Sequence, residues 1–404
     1  MRKYLWTVLE QDGLRNDPDL KATVLTALQS ANDAWVPPVF KMVRIQQMSA
    51  PDEQEQEPLF QEPEPGKLFG DVFVGKTVPS GHDVCIPLES FGCRGHMLVA
   101  GAGGSGKSVV LNMIAVRLMQ MGITTIIYDT LNQAAPLIAP LVPAEKLNII
   151  DFKNYRRNIL AGRQDMPPLE FIRLASGHLM QSLGISPVTM NYMIQVCDAI
   201  LASGEALTIQ GVIRTAQQNH RSQSARALLN RLLPLVMSGS QVFACERGFD
   251  MDRFFSRSCI MNLKGASDQE RRLIYNDHYS YLTHKLQALD SWKLRMVFIY
   301  HEAGTLLNLA DDFFLRMIRE ARNYGIGFCF ANQAPQLQDH IVKANIGTKL
   351  LLRLEDPSSL ETFRLGMGLK EEHRNFILNL PDRMALLRRP DIPFPFLIRV
   401  PDLF

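Results

Sequence analysis

The stretch His96-Met-Leu-Val-Ala-Gly101-Ala-Gly-Gly-Ser-Gly106-Lys107-Ser108-Val109-Val-Leu-Asn-Met-Ile-Ala115 decides the fold. Residues 101–108 match G-x-x-x-x-G-K-[ST] in full, between an apolar run with the length of a buried strand and a segment with helical character. Glycines at 101, 103, 104 and 106 let backbone N–H groups turn toward a phosphate, and the start of the helix adds partial positive charge. Lys107 is expected to bridge the β- and γ-phosphates of ATP, and the Ser108 hydroxyl to ligate Mg²⁺. The expected nucleotide contacts are Gly101, Gly103, Gly104, Ser105, Gly106, Lys107, Ser108 and Val109. The alternative is a glycine-rich turn that binds nothing.

Outward from this loop, short strand-like runs alternate with helical ones. The expected strands are His96–Ala100, Thr124–Asp129, Leu147–Asp151, Ser258–Leu263, Met296–Tyr300, Gly327–Ala331, Lys349–Leu354, Met384–Arg388 and Phe396–Val400. This alternation predicts an α/β fold, a RecA-like P-loop NTPase core with a mostly parallel sheet. Residues 165–240 have helical spacing and little strand signal, so they read as an all-α insertion dividing the core into 67–164 and 241–404. Residues 1–48 read as a small helical N-terminal unit. Residues 49–66, rich in Pro, Gln and acidic residues, read as a linker.

A phosphate loop needs acidic groups on a second strand end beside it, to hold Mg²⁺ through water and to activate the attacking water. Arg295-Met-Val-Phe-Ile-Tyr300-His301-Glu302 is the best candidate. Glu302 is the expected general base. His301 stands where an aspartate supporting the metal is common, so Ser108, His301 and Glu302 form the expected metal set. Asp129, ending a neighbouring strand, either supplies a further carboxylate or opens the following turn.

Composition limits the partners. The 404 residues carry 43 Lys+Arg against 41 Asp+Glu, a formal charge of +2, which argues against coating nucleic acid by bulk charge. Any DNA contact must be local. The six cysteines, Cys85, Cys93, Cys197, Cys245, Cys259 and Cys329, include no C-x-x-C pair and indicate neither a zinc knuckle nor a disulfide framework. His82, His278 and His340 lack metal-site spacing. No apolar run approaches the roughly 18–20 residues of a membrane helix, and a cytoplasmic location is expected.

The segment Ile318-Arg-Glu-Ala-Arg322-Asn-Tyr-Gly325-Ile-Gly-Phe-Cys-Phe-Ala-Asn-Gln333-Ala-Pro335-Gln-Leu337 resembles the signature of the HerA/FtsK superfamily of hexameric DNA motors, which includes conjugative coupling ATPases. Ala344–Asp356, Asn262–Gly265 with Glu270–Leu273, and Phe394–Pro401 are similar to further parts of that pattern, so the likeness covers about 67–404. The resemblance implies that Gln333 contacts the γ-phosphate, and that Arg322 is an arginine finger reaching a neighbouring subunit's site, with Arg319 as substitute. Their plainer alternatives are a turn cap before Pro335 and an exposed helix-terminal arginine. It also implies a homo-oligomer, a hexamer, with double-stranded DNA in its pore and a nuclease or other effector as partner. Lys264, Arg271 and Arg272, following a candidate strand, are the expected DNA-facing residues. The resulting expectation is an ATP-driven DNA translocase or helicase. The second reading, prompted by His301, is a ring that binds ATP, hydrolyses it weakly or not at all, and assembles an effector complex.

Overall fold

The computed structural model describes residues 1, 3, 5–6, 18–30, 34, 36–49, 59–92, 95–161, 166–219, 221–237, 241–286, 293–304, 312–333 and 344–402. Cys93, His340, residues 50–58 of the acidic segment and 334–343 after Gln333 lie outside them. The chain forms two compact units, Met1–Leu59 and Phe60–Phe404. In the first, helices Pro18–Gln29 and Val36–Ser49 bury Val24, Ala27, Leu28, Val36, Val39 and Val43 in a small core with Leu5.

The second unit is built on one sheet of 11 strands. In chain order these are β1 (Val72–Thr77), β2 (Asp83–Ile86), β3 (His96–Ala100), β4 (Thr124–Asp129), β5 (Leu147–Asp151), β6 (Ser258–Asn262), β7 (Met296–Tyr300), β8 (Ile326–Asn332), β9 (Ile346–Leu351), β10 (Met384–Arg388) and β11 (Phe396–Arg399). Their order across the sheet is β2-β1-β11-β10-β9-β3-β8-β7-β4-β6-β5. From β9 to β5 all neighbours run parallel, whereas β10, β11, β1 and β2 add an antiparallel wing. The mostly parallel sheet expected from sequence is therefore present.

The parallel strands are apolar on both faces because both faces are covered. Leu98 and Ala100 of β3, Phe298 and Tyr300 of β7, and Phe328 and Phe330 of β8 enter one core. Met97 and Val99, Val297 and Ile299, and Cys329 and Ala331 enter the other, against Val110, Leu111 and Ile114 of helix Lys107–Gln120. Between β5 and β6 the chain makes helices Pro168–Leu183, Pro187–Ala202, Ile209–Gln218 and Gln223–Met237, whose apolar faces join the first core. Their boundaries have local causes. Ser186 Oγ accepts from Thr189 N–H at 3.2 Å, Thr208 Oγ1 from Gly211 N–H at 2.9 Å, and Gly184 ends its helix in the left-handed region at φ 60°.

Several strand limits differ from those read in the sequence. β6 stops at Asn262, because Asn262 Oδ1 accepts the Lys264 N–H at 3.0 Å and turns the chain. β9 starts at Ile346 and ends at Leu351, and β8 extends to Ile326 and Asn332. β1 and β2 were not among the expected strands. A bulge between Phe73 and Gly75 interrupts their alternation, and a Cβ at Gly75 would lie 2.5 Å from the Arg399 carbonyl oxygen.

Candidate nucleotide site

The loop Gly101–Gly106 leaves the C-terminal end of β3 and enters helix Lys107–Gln120. Gly104 and Gly106 take φ of 73° and 104°, where a side chain would be strained. Gly101 is small for a different reason, since a Cβ there would meet Ser105 Oγ at 2.5 Å and Leu352 Cβ at 2.8 Å. Gly106, the residue preceding the helix, gives it no side-chain cap. The first N–H groups of the 14-residue helix, on Lys107, Ser108 and Val109, therefore face outward without intrahelical acceptors, which suits an anion.

Lys107 is buried, and its Nζ donates to the carbonyl oxygens of Gly101 at 2.8 Å and Ala102 at 2.7 Å. Burial pushes the pKa of this ammonium down, and the carboxylates of Glu302 and Glu355 act against that shift. Glu302 follows β7, and Gln333 follows β8. Gln333 Nε2 donates to Glu302 Oε2 at 3.4 Å, which brings the expected base and the expected phosphate-contacting carboxamide together. The strand order explains how. β7 does not adjoin β3 directly, as the sequence reading placed it; β8 lies between them, so Gln333 sits between the phosphate loop and Glu302. Ala303 N–H donates to Ala331 O at 2.8 Å and Gly101 N–H to Asn332 O at 3.3 Å, tying the three strand ends together.

His301 differs from what its place in the sequence suggested. Its side chain is 3% exposed and leans toward β4, with Nδ1 4.0 Å from Asp129 Oδ1, beyond hydrogen-bond distance. Its buried Nε2 has no hydrogen-bond partner among the described residues. Burial lowers the imidazole's pKa, the Asp129 carboxylate opposes that, and the lowered value leaves the ring neutral near pH 7. Asp129 itself opens a turn: Oδ1 accepts from Leu131 N–H at 3.0 Å, and Oδ2 from Gln133 and Ala134 N–H at 2.6 and 2.7 Å. With three amides on its oxygens, Asp129 is a turn-opening residue and not a spare carboxylate. Among the described residues no group of three His, Cys, Asp or Glu has metal-site geometry. A single bound hydroxyl plus carboxylate-held water, as Ser108 and Glu302 offer, suits Mg²⁺, which keeps much of its water shell.

The other expected residues fall elsewhere. Arg322 is exposed in the turn Ala321–Tyr324 that precedes β8, as is Arg319 at the end of helix Asp312–Glu320. The seven residues of β8 span roughly 20 Å at ~3.3 Å each, so Arg322 lies on the edge of the sheet opposite its own phosphate loop. Near it His96 is fully enclosed. Its Nδ1 accepts from Phe328 N–H at 3.3 Å, so Nε2 carries the proton and donates to Ile318 O at 2.8 Å. Lys264 is exposed and borders an open cleft of about 470 Å³ with Asp151, Lys153, Asn154 and Asn262. Arg271 is instead drawn to Asp268 at 3.4 Å, and Arg272 is half-buried.

Sequence reasoning missed the segment after β9. Leu352 N–H donates to Ala100 O at 2.8 Å, and Arg353 O accepts from Ala102 N–H at 2.7 Å, so residues 352–355 run beside the loop. No short motif marks them; only the pairing of β9 with β3 brings them there.

Fold and loop together define a RecA-like P-loop nucleotide-binding protein. Comparisons with known proteins agree and extend the likeness to HerA/FtsK-type ATPases. No protein-family model matches the chain. The DNA double-strand break repair helicase HerA of Sulfolobus acidocaldarius is 22% identical over 358 residues, covering 82% of this chain and 69% of that protein. The structure of VirB4 of Thermoanaerobacter pseudethanolicus superposes with a TM-score of 0.63 at 16% identity, over 82% of this chain and 96% of that one. The plasmid coupling protein TrwB in complex with ADP and Mg²⁺ gives a TM-score of 0.62 at 15% identity, over 85% and 94%. Among the described residues no helix is long and apolar enough to cross a membrane.

Proposed function

We propose that this chain is an ATP-hydrolysing DNA translocase motor of the HerA/FtsK kind, acting as a hexameric ring on double-stranded DNA, with any cutting left to a nuclease or other effector partner. The observation that carries this reading is the meeting of three strand ends, with Lys107, Gln333 and Glu302 at one edge of the sheet. HerA's likeness over 82% of the chain supports DNA as the substrate, and TrwB's complex supports ATP and Mg²⁺ as ligands.

Each residue then has a defined task. The loop amides and Lys107 compensate phosphate charge, and Ser108 with Glu302 holds the metal and its water. Mg²⁺ would neutralise charge developing on the phosphate oxygens. Glu302 accepts the proton of the attacking water, while Gln333, already hydrogen-bonded to Glu302, orients that water. Arg322 faces away from its own site, so it serves a neighbour's, and hydrolysis depends on assembly. Lys264, repeated around a ring, supplies a local positive collar for DNA despite the chain's near-neutral total. Arg271, paired with Asp268, contributes less to that collar.

ATP turnover measured with and without linear double-stranded DNA tests the reading. DNA should raise turnover about tenfold or more. Turnover that ignores DNA, or nucleotide binding without turnover, would favour the effector-assembling ring, the reading that His301 in place of an aspartate first suggested.

A further inference from the structure

Glu355 is exposed, makes no ion pair among the described residues, and lies just beyond the segment that hydrogen-bonds the phosphate loop. Its neighbours are committed elsewhere. Arg353 turns its guanidinium to Asp382 at 3.5 Å, and Asp356 Oδ2 accepts from Ser359 N–H at 2.9 Å and Ser359 Oγ at 2.7 Å to start helix Pro357–Met367. The hydrogen bonds from Leu352 to Ala100 and from Ala102 to Arg353 fix this stretch beside Gly101 and Ala102, the residues whose carbonyls hold Lys107 Nζ. Glu302 approaches the same ammonium from another strand end. The empty site thus holds a cation between two carboxylates, and only Glu302 has a task in hydrolysis.

We propose that Glu355 is a positioning residue that holds the Lys107 ammonium in the nucleotide-free state, opposes the incoming phosphates, and so limits how tightly a nucleoside diphosphate is retained after hydrolysis. This rests on the ATPase reading above. A phosphate chain brings further negative charge next to a fixed carboxylate and must draw Lys107 off the Gly101 and Ala102 carbonyls; both steps are easier once that carboxylate is neutral. The effect of burial and of Glu355 on the ammonium is consistent with this balance, since the carboxylate opposes the burial that would discharge Lys107.

Titration of the intact chain with a fluorescent ADP analogue tests it. Glu355→Gln should tighten ADP roughly threefold at low salt, with slower release and a lower KM for ATP, and the gain should shrink as salt rises. Glu355→Asp should stay near the parent. Glu361→Gln, at an exposed carboxylate already bound to Arg364, should change nothing. Unchanged or weaker ADP binding by Glu355→Gln would overturn the inference, the weaker case meaning that Glu355 binds nucleotide or its metal directly. A parent chain that binds no ADP at all would instead remove the ATPase reading and this inference with it.

Discussion

The two ends of β3 and β8 are finished in opposite ways. At the N-terminal end His96 satisfies both ring nitrogens, on Phe328 N–H and Ile318 O, and packs edge-on against Phe328 at 4.9 Å. At the C-terminal end Lys107 has only loop carbonyls, the helix amides lack intrahelical partners, and Ser105 Oγ is buried without one. One end spends its polar groups on holding the fold; the other keeps them for a ligand. Substitutions at the first should therefore cost stability, and at the second activity.

The largest effect is expected at Lys107. Lys107→Ala should lower ATP turnover by on the order of a hundredfold or more, with a melting temperature near the parent's, because the ammonium holds only its own loop. A variant that instead fails to fold would erase the contrast between the two ends. Glu302→Gln should lower turnover by a similar order while ADP still binds, since the amide keeps the shape and loses the base. Parental turnover in that variant would assign the base to another group.

The other end answers in stability. Burial pushes the pKa of His96 down to about 4, so the folded state stays neutral while the unfolded chain takes up a proton below its ordinary value of 6.5. The sign follows: no penalty above pH 6.5, and stability lost as pH falls from there toward 4. At pH 5 the loss is about 2 kcal/mol for this histidine. Urea unfolding at pH 7.5 and 5 should show it. His96→Leu should be less stable at pH 7.5, because Phe328 N–H and Ile318 O lose their partner, yet should lose less between the two pH values. His278, lowered to about 3 by burial and set between the Tyr128 and Tyr155 hydroxyls, adds to the parent's acid sensitivity in the same direction.

The smallest effect is away from both ends. Ser267 and Glu270 form a reciprocal cap, with Glu270 N–H on Ser267 Oγ at 3.2 Å and Ser267 N–H on Glu270 Oε2 at 2.8 Å. Ser267→Ala should cost about 1 kcal/mol of stability and leave turnover alone, as paired thermal melts and ATPase assays would show.

What the sequence revealed follows from where each interaction lies along the chain. The phosphate loop was legible because its glycines, lysine and serine are contiguous, and β3, β4, β5, β7 and β10 were legible because each is an unbroken apolar run with the limits the structure shows. Glu302 and Gln333 were recognisable at strand ends, but their contact depends on β8 lying between β3 and β7, a pairing that local sequence does not encode. His301 looked like a metal-supporting group because its neighbour on β4 was invisible; Asp129 and burial give the imidazole its surroundings. The β1–β2 hairpin escaped because its bulge breaks the period of two, and Glu355 because its place beside Lys107 is set by residues some 250 positions earlier.

The central claim is that one chain supplies the phosphate-binding end and another supplies Arg322. Mixing Arg322→Ala subunits with Lys107→Ala subunits, each inactive alone, tests it most directly. Mixed rings contain interfaces that pair an intact loop with an intact arginine, so ATP turnover should reappear in the mixture and peak near equal proportions. Full turnover by Arg322→Ala alone, or none at any mixing ratio, would contradict the division of the site between subunits.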